Sequence, residues 1–336
     1  MTRISRRLAI QALAAMGLTP AFLRSLATEQ RAERGGPPGV ALKEIRDGLF
    51  WLSDGAYNTM FLISSQGVIA VDPLPTLGRR YLDAIAKVTD RPVTHVVYSH
   101  EHLDHIGATD IFPRSAAIVA QEETAAILLQ RKDPRRPPPT TTFRERLLLQ
   151  VGDQILDLEY KGVNHSAGNV FLYAPRQRVL MLVDVVYPGY MPYPSLGVTA
   201  DVPGYIEAHR QALAYDFTEF IGGHVDRIGA RADVERSLEL VLDLKKECEE
   251  ALAENPFPAF LAAHPAQAAL STWFAHDDYE TNRVERCYNR LAPKWSRLLQ
   301  GTERSLRSHC RTMIVALAIQ MPPPPNRGEA GQKEGR

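Results

Sequence analysis

One stretch constrains this chain more than any other: Ser99-His100-Glu101-His102-Leu103-Asp104-His105 sets three imidazoles and two carboxylates within six positions, directly after the mostly apolar run Val93–Tyr98. That run reads as a buried strand, and Ile106-Gly107-Ala108 reads as the opening of a short helical stretch. The cluster therefore falls on a strand-to-helix loop, where α/β proteins place their chemistry. His100 and His102 lie two apart in extended chain, so their rings can converge on one ion, while the turn that follows aims Asp104 and His105 at a neighbouring point. One loop can serve two metals. A merely solvated loop would not gather so many ligand types at fixed spacing. Glu101 reads as an exposed neighbour rather than a ligand.

Composition sets the outer limits. With 336 residues, 45% of them hydrophobic and 23% charged, the chain has material for one large domain and an appendage. Lys plus Arg and Asp plus Glu both total 39, so no overall field draws the molecule to nucleic acid or an anionic membrane, and neither is expected as a partner. Residues 1–27 differ from the rest: Arg3, Arg6 and Arg7 precede an uncharged stretch from Leu8 to Leu23, and Ser25-Leu26-Ala27 offers a small-x-small cleavage site. This order resembles a twin-arginine export signal and predicts a periplasmic or secreted protein; the alternative is an amphipathic helix packed on the body. Pro20 and the short span speak against a membrane anchor, so no stable membrane insertion is expected after signal removal. Cys248, Cys287 and Cys310 form no CxxC and lie far from the histidine cluster. At most one disulfide is open to them, and the expectation is buried, unpaired thiols in helices.

Residues 28–39 read as a linker. A hairpin follows, Val40–Ile45 and Leu49–Leu52 about Asp47-Gly48, then strands Tyr57–Ser64 and Gly67–Val71 and helix Leu77–Val88. Past the histidine loop come strand Ala116–Ala120 and helix Gln121–Gln130. Arg131–Thr142, with Arg135-Arg136-Pro137-Pro138-Pro139, is too stiff for a helix and reads as a connection between halves or part of the mouth of a site. The second half loosely repeats the first: strands Leu147–Gln150, Gln154–Tyr160, Val170–Ala174 and Arg178–Val183, helix Pro203–Ala214, strand Phe217–Ile221 and helix Ala230–Leu252. Residues 40–254 thus predict two sheets with outer helices. Residues 255–320 read as a helical C-terminal extension, in which His264, His276 and His309 are surface or core side chains rather than ligands; 321–336 reads as a disordered tail.

The Ser99–His105 stretch resembles the His-x-His-x-Asp-His signature of the metallo-β-lactamase superfamily, and further settings carry the resemblance over Val40 to about Leu252. His165 stands in Gly162-Val163-Asn164-His165-Ser166-Ala167-Gly168-Asn169, a match to Gly-x-x-His-[Ser/Thr]-x-Gly-Asn. Asp184 ends the apolar run Val179–Val183, as a bridging ligand or a strand-end cap, and His224 follows Gly222-Gly223, glycines that let the backbone approach a site closely. The resemblance implies an α/β (α+β) four-layer αββα sandwich with the ligands along the sheets' shared edge. It implies His100, His102 and His165 on one ion, Asp104, His105 and His224 on the other, and Asp184 on both. Nitrogen and oxygen donors without thiolate suit two Zn²⁺ per chain, although iron and manganese accept the same donors. The implied activity is hydrolysis of a carbonyl bond (ester, lactone, thioester or lactam) in a small-molecule substrate by a metal-activated water, with Asp104 relaying the proton. Asp184 replaces the Cys or Ser expected in the β-lactamase branches and, with Tyr187, is closer to the acyl-homoserine lactonases, so a lactone or ester is favoured. The alternatives are β-lactam hydrolysis and a one-iron enzyme similar to the persulfide dioxygenases. Asp72 is expected to hydrogen-bond a ligand histidine or to serve a turn, Asn58 to bond backbone as a turn residue, and Tyr187 to aim its hydroxyl at the substrate carbonyl or to pack in the loop Tyr187–Tyr193.

Overall fold

The computed structural model describes residues 39–269 and 271–321, so the expected export signal, most of the linker and the tail from residue 322 lie outside the described residues. Strands β1 (Ala41–Arg46), β2 (Leu49–Ser53), β3 (Asn58–Ser64), β4 (Gly67–Val71), β5 (Val93–Val97), β6 (Ala117–Gln121) and β7 (Thr141–Phe143) form one sheet in sequence order. Its first four strands are antiparallel, joined by tight turns, and β4 to β7 run parallel because helical crossovers separate them. The second sheet has the order β13-β12-β11-β10-β9-β8, from β8 (Arg146–Val151), β9 (Gln154–Glu159), β10 (Phe171–Ala174), β11 (Val179–Met181), β12 (Glu219–Ile221) and β13 (Gly229–Ala230).

Period-two alternation sends each strand's side chains to two different cores, which is why the strands read as continuous apolar runs. In β2, Leu49 and Trp51 join Met60, Leu62 and Ile69 in the core between the sheets, where they meet Leu156, Leu158, Leu172 and Met181 of the second sheet. Phe50, Leu52, Phe61 and Val68 point the other way, under α1 (Arg80–Ala86) and α3 (Glu122–Arg131). Phe171, Leu180 and Phe220 of the second sheet face outward to α4 (Val202–Leu213) and α5 (Arg231–Glu254). The result is the expected αββα sandwich.

The extension is helical as predicted, with α6 (Phe257–Ala263), α7 (Pro265–Ala268), α8 (Thr272–Trp295) and α9 (Thr302–Ile319). It shares a core with the second sheet: Cys287, Leu291, Trp295, Leu306 and Met313 pack in one cluster with Tyr205, Leu240 and Leu244. The cysteines correct the sequence reading. Cys248 and Cys287 form a disulfide across α5 and α8, whose Cα atoms there are 5.2 Å apart, and Cys310 alone is a buried free thiol that burial pushes up to about 12. The segment 131–142 is also more than a connection, since β7 begins at its end and the Tyr98 hydroxyl donates to the Pro137 carbonyl at 3.1 Å. No helix among the described residues is long and apolar enough to cross a membrane.

Candidate metal centre

The loop after β5 leaves its strand at Ser99. Asp72, at the end of β4 and fully buried, accepts the Ser99 N–H at 2.7 Å, so it holds the loop by its backbone rather than bonding a ligand ring as expected. Burial pushes the Asp72 carboxyl up to about 6. The helical turn opens earlier than the sequence suggested: α2 (Leu103–Ile106) carries Asp104 and His105 on its first turn and ends at Gly107. Glu101 departs from its expected exposure, because Arg136, itself buried, donates to the Glu101 carbonyl at 2.6 Å and Arg131 stands 3.9 Å from its carboxylate. Packed this way, Glu101 sets Oε1 3.5 Å from His102 Nε2.

The second sheet brings the other three residues. Asn164 Oδ1 accepts from the His165 N–H and from Asn169 Nδ2, while Asn169 Nδ2 also reaches the Val183 carbonyl at 3.0 Å, so the His165 loop is tied to the strand leading to Asp184. Asp184 has a φ of 63°, a left-handed conformation locked by its N–H to the Gly222 carbonyl at 3.1 Å. His224 needs the glycine before it, since a Cβ on Gly223 would stand 2.6 Å from Val183 Cγ1 and 3.3 Å from His105 Cε1. Asn58 is not a turn residue; from the start of β3 its Nδ2 donates to the His224 and Val225 carbonyls at 2.6 and 2.8 Å, and its Oδ1 accepts from Trp51 Nε1 at 3.0 Å.

All seven expected side chains converge. The ligand atoms of His100, His102, His165 and Asp184 lie within 4.8 Å of one another, as do those of Asp104, His105 and His224. His165 Nε2 faces His102 Nδ1 at 3.0 Å, and His105 Nε2 faces His224 Nε2 at 3.2 Å. Asp184 stands between the groups, with Oδ2 3.6 Å from His100 Nε2, 3.2 Å from His165 Nε2 and 3.2 Å from His105 Nε2, and Oδ1 2.8 Å from His224 Nε2. Donors about 2.0–2.1 Å from a tetrahedral ion sit about 3.3 Å apart, so this spacing fits a metal pair. Two further observations agree. His100 Nε2 and Asp184 Oδ1 are buried without a hydrogen-bond partner, and Ser99 Oγ on His100 Nδ1 at 2.9 Å leaves Nε2 as the inward nitrogen.

The electrostatics point the same way. Burial pulls the imidazoles of His100 well below and of His165 down to about 4, which keeps both neutral as ligands must be. At Asp184 burial raises the carboxyl, but His105, His165 and His224 overcome it and hold it well below the usual range. Burial lowers His105 as well, yet Asp184 outweighs burial and brings it up to about 9, so with no metal beside it a proton on His105 is the cation that balances this carboxylate. A desolvated carboxylate is calling for a cation.

The centre opens into a cleft of about 490 Å³ whose wall includes Ala56, Tyr57, Tyr187, Tyr193 and Val198. The Tyr187 ring lies nearly parallel to that of His224, centroids 5.5 Å apart, and Tyr57 packs on the same imidazole at 4.6 Å. Burial first, then nearby carboxylates, pushes the Tyr57 phenol up to about 12 and that of Tyr187 well above its ordinary value. Sequence reasoning missed Tyr57, although its place one residue before Asn58 was the available signal. Of the histidines set aside, His276 is exposed, His264 Nδ1 bonds the Phe260 carbonyl in the helix that His264 caps, and His309 is fully buried.

Comparison with known proteins agrees with this fold. A chain from Nocardioides sp. (strain JS1661), the 2,4-dinitroanisole O-demethylase subunit alpha, is 31% identical over 210 residues, 60% of this chain, and this chain spans 62% of its length. Among solved structures, a metallo-beta-lactamase from Pontibacter korlensis matches 61% of this chain and 99% of its own with a TM-score of 0.54 at 20% identity. The metallo-beta-lactamase IND-7 matches 62% and 100% with a TM-score of 0.53 at 22% identity. The sequence pattern of the metallo-beta-lactamase superfamily runs over residues 52–248, more than half of the chain, and with both candidate metal sites on that fold the protein belongs to this superfamily.

Proposed function

We propose that the chain is an exported dinuclear zinc hydrolase that opens a lactone or ester carbonyl. The observation that carries this reading is Asp184, a single buried carboxylate between the two groups, with Oδ2 3.2 Å from both His165 Nε2 and His105 Nε2 and Oδ1 2.8 Å from His224 Nε2. His100, His102 and His165 would hold one zinc and Asp104, His105 and His224 the other, with Asp184 shared between them. The two ions, when bound, supply a water acidic enough to attack at neutral pH and a positive field for the developing oxyanion. Asp104, half-exposed at the mouth, takes the proton from the attacking water and delivers it to the leaving oxygen. Tyr187 and Tyr57 stay protonated at neutral pH, so each offers an O–H to a substrate oxygen. Asp184→Ala should lose metal. Tyr187→Phe should keep both ions and lose about tenfold or more in turnover, because it removes one oxyanion donor.

A second reading, cleavage of a methyl aryl ether, is favoured by the tyrosine-lined cleft and by the Nocardioides relative, whose name gives it a methyl aryl ether as substrate. One panel decides. Protein purified without added metal should carry close to two zinc ions and open a lactone or phenyl ester faster than a penicillin or a methyl aryl ether. A faster ether would establish the second reading, a faster penicillin would refute both, and one iron without zinc would remove the zinc hydrolase altogether. Export rests on Arg6-Arg7, and replacing both with lysine should leave the protein in the cytoplasm.

A further inference from the structure

Between Asp184 and α4 the chain is stitched to the extension. The Met191 N–H donates to the Gln300 carbonyl at 2.8 Å, and the Gln300 N–H donates to the Gly189 carbonyl at 3.1 Å. Past Pro194, four consecutive residues turn left-handed: Ser195, Leu196 and Gly197 have φ of 61, 55 and 68°, and Val198 has 58°. Three of the four carry side chains, which disfavour this region, so such a turn needs outside support. The support comes from α9. The Ser195 N–H donates to Ser308 Oγ at 2.9 Å and the Leu196 N–H to His309 Nδ1 at 3.0 Å. His309 is fully buried, and because its Nδ1 accepts, its ring is neutral with the proton on Nε2.

The other side of the turn is the metal cleft. Gly197 and Val198 line it, and a Cβ on Gly197 would stand 2.9 Å from the Tyr187 hydroxyl oxygen and 2.9 Å from the Asp184 carbonyl oxygen. We propose that His309, assisted by Ser308, is a positioning residue for substrate selection: it fixes the left-handed turn and thereby the space beside Tyr187 that the substrate's acyl part must enter. The extension then shapes the cleft although none of its described side chains lines it. The acyl part of this assignment rests on the proposed hydrolase; the support of the turn does not.

Two substitutions separate hydrogen bond from volume. His309→Leu fills the site without an acceptor, whereas His309→Asn keeps an acceptor near the Nδ1 position. Hydrogen exchange needs no substrate: the Ser195 and Leu196 amides should exchange at least tenfold faster in His309→Leu and near the wild-type rate in His309→Asn, with the Leu182 amide unchanged in both. With p-nitrophenyl acetate and octanoate, His309→Leu should shift KM for the octanoate fivefold or more and leave kcat for the acetate within twofold, zinc content being unchanged. Adding Ser195→Gly should restore the octanoate KM, because glycine takes a positive φ without steric cost. Unchanged amide exchange in His309→Leu overturns the proposal, as does an equal loss on both esters together with loss of zinc. If His309→Leu does not fold, Ser308→Ala gives the same exchange readout for Ser195, and a wild-type rate there overturns it. A wild type inert toward both esters would sink the hydrolase reading, while amide exchange still decides the role of His309.

Discussion

Glu101 shows what one buried carboxylate adds to a metal loop. Its oxygen stands 3.5 Å from His102 Nε2 while His102 Nδ1 is the nitrogen turned to His165, so the carboxylate lies behind the ring, on the side away from the other donors, where it can orient the imidazole. Glu101→Ala should weaken the hold on metal by about 10- to 100-fold in competition with a chelator, with the circular dichroism spectrum intact. Unchanged affinity would show that Glu101 only packs. His209 is a different case, a fully buried imidazole with no part in the site, between the Tyr205 carbonyl at 2.7 Å and Ser237 Oγ at 2.9 Å. Burial pulls it down to about 4, below the ordinary value near 6.5. The unfolded chain therefore takes up this proton first as pH falls, and the stability that His209 contributes is complete above about 6.5 and lost progressively toward 4. The advantage of wild type over His209→Gln in urea unfolding should shrink by about 3 kcal/mol between pH 7 and pH 4. A pH-independent advantage would contradict a neutral imidazole in the fold.

Helices α5 and α8 are tied by a disulfide spanning 39 residues of sequence, a loop whose closure entropy corresponds to about 4 kcal/mol at 25 °C. Cys287→Ser should therefore lower the unfolding free energy in urea by about 2–4 kcal/mol and leave zinc content alone; equal stability would mean that the bond adds nothing to the native state. The pairing was not legible in the sequence, because it depends on where two long helices lie side by side. Strands were legible, since Leu49, Trp51, Phe50 and Leu52 each find an apolar core on one face or the other. So were the seven converging side chains, whose spacing is local for Asp104 and His105 and whose glycine and asparagine settings mark His165 and His224. The left-handed turn was not, for Ser195-Leu196 lacks the glycine or asparagine that announces a positive φ and owes its shape to a helix more than a hundred residues on. Glu101 was misread for the same kind of reason, as Arg136 reaches it from another segment.

At the scale of the whole molecule, each candidate ion draws on both sheets: His100 and His102 with His165 and Asp184, and Asp104 and His105 with His224. Metal should thus hold the two halves of the sandwich together as well as serve the reaction. Removing both ions by chelation should lower Tm by roughly 10 °C, as expected for ligands present at about a thousand times their Kd, and zinc should restore it. An unchanged Tm would show that the sandwich needs no metal to stand. The same arrangement sets an order of completion during synthesis. A ribosome that has released the chain through residue 164 has made every donor of the Ser99–His105 loop and no finished site of either kind. The second site closes only with His224, and the turn that shapes the cleft waits for His309. On the proposed reading, fragments left by premature termination or by cleavage before His224 should be silent as hydrolases, whereas a chain that ends between His224 and His309 holds every donor and lacks the support of the turn.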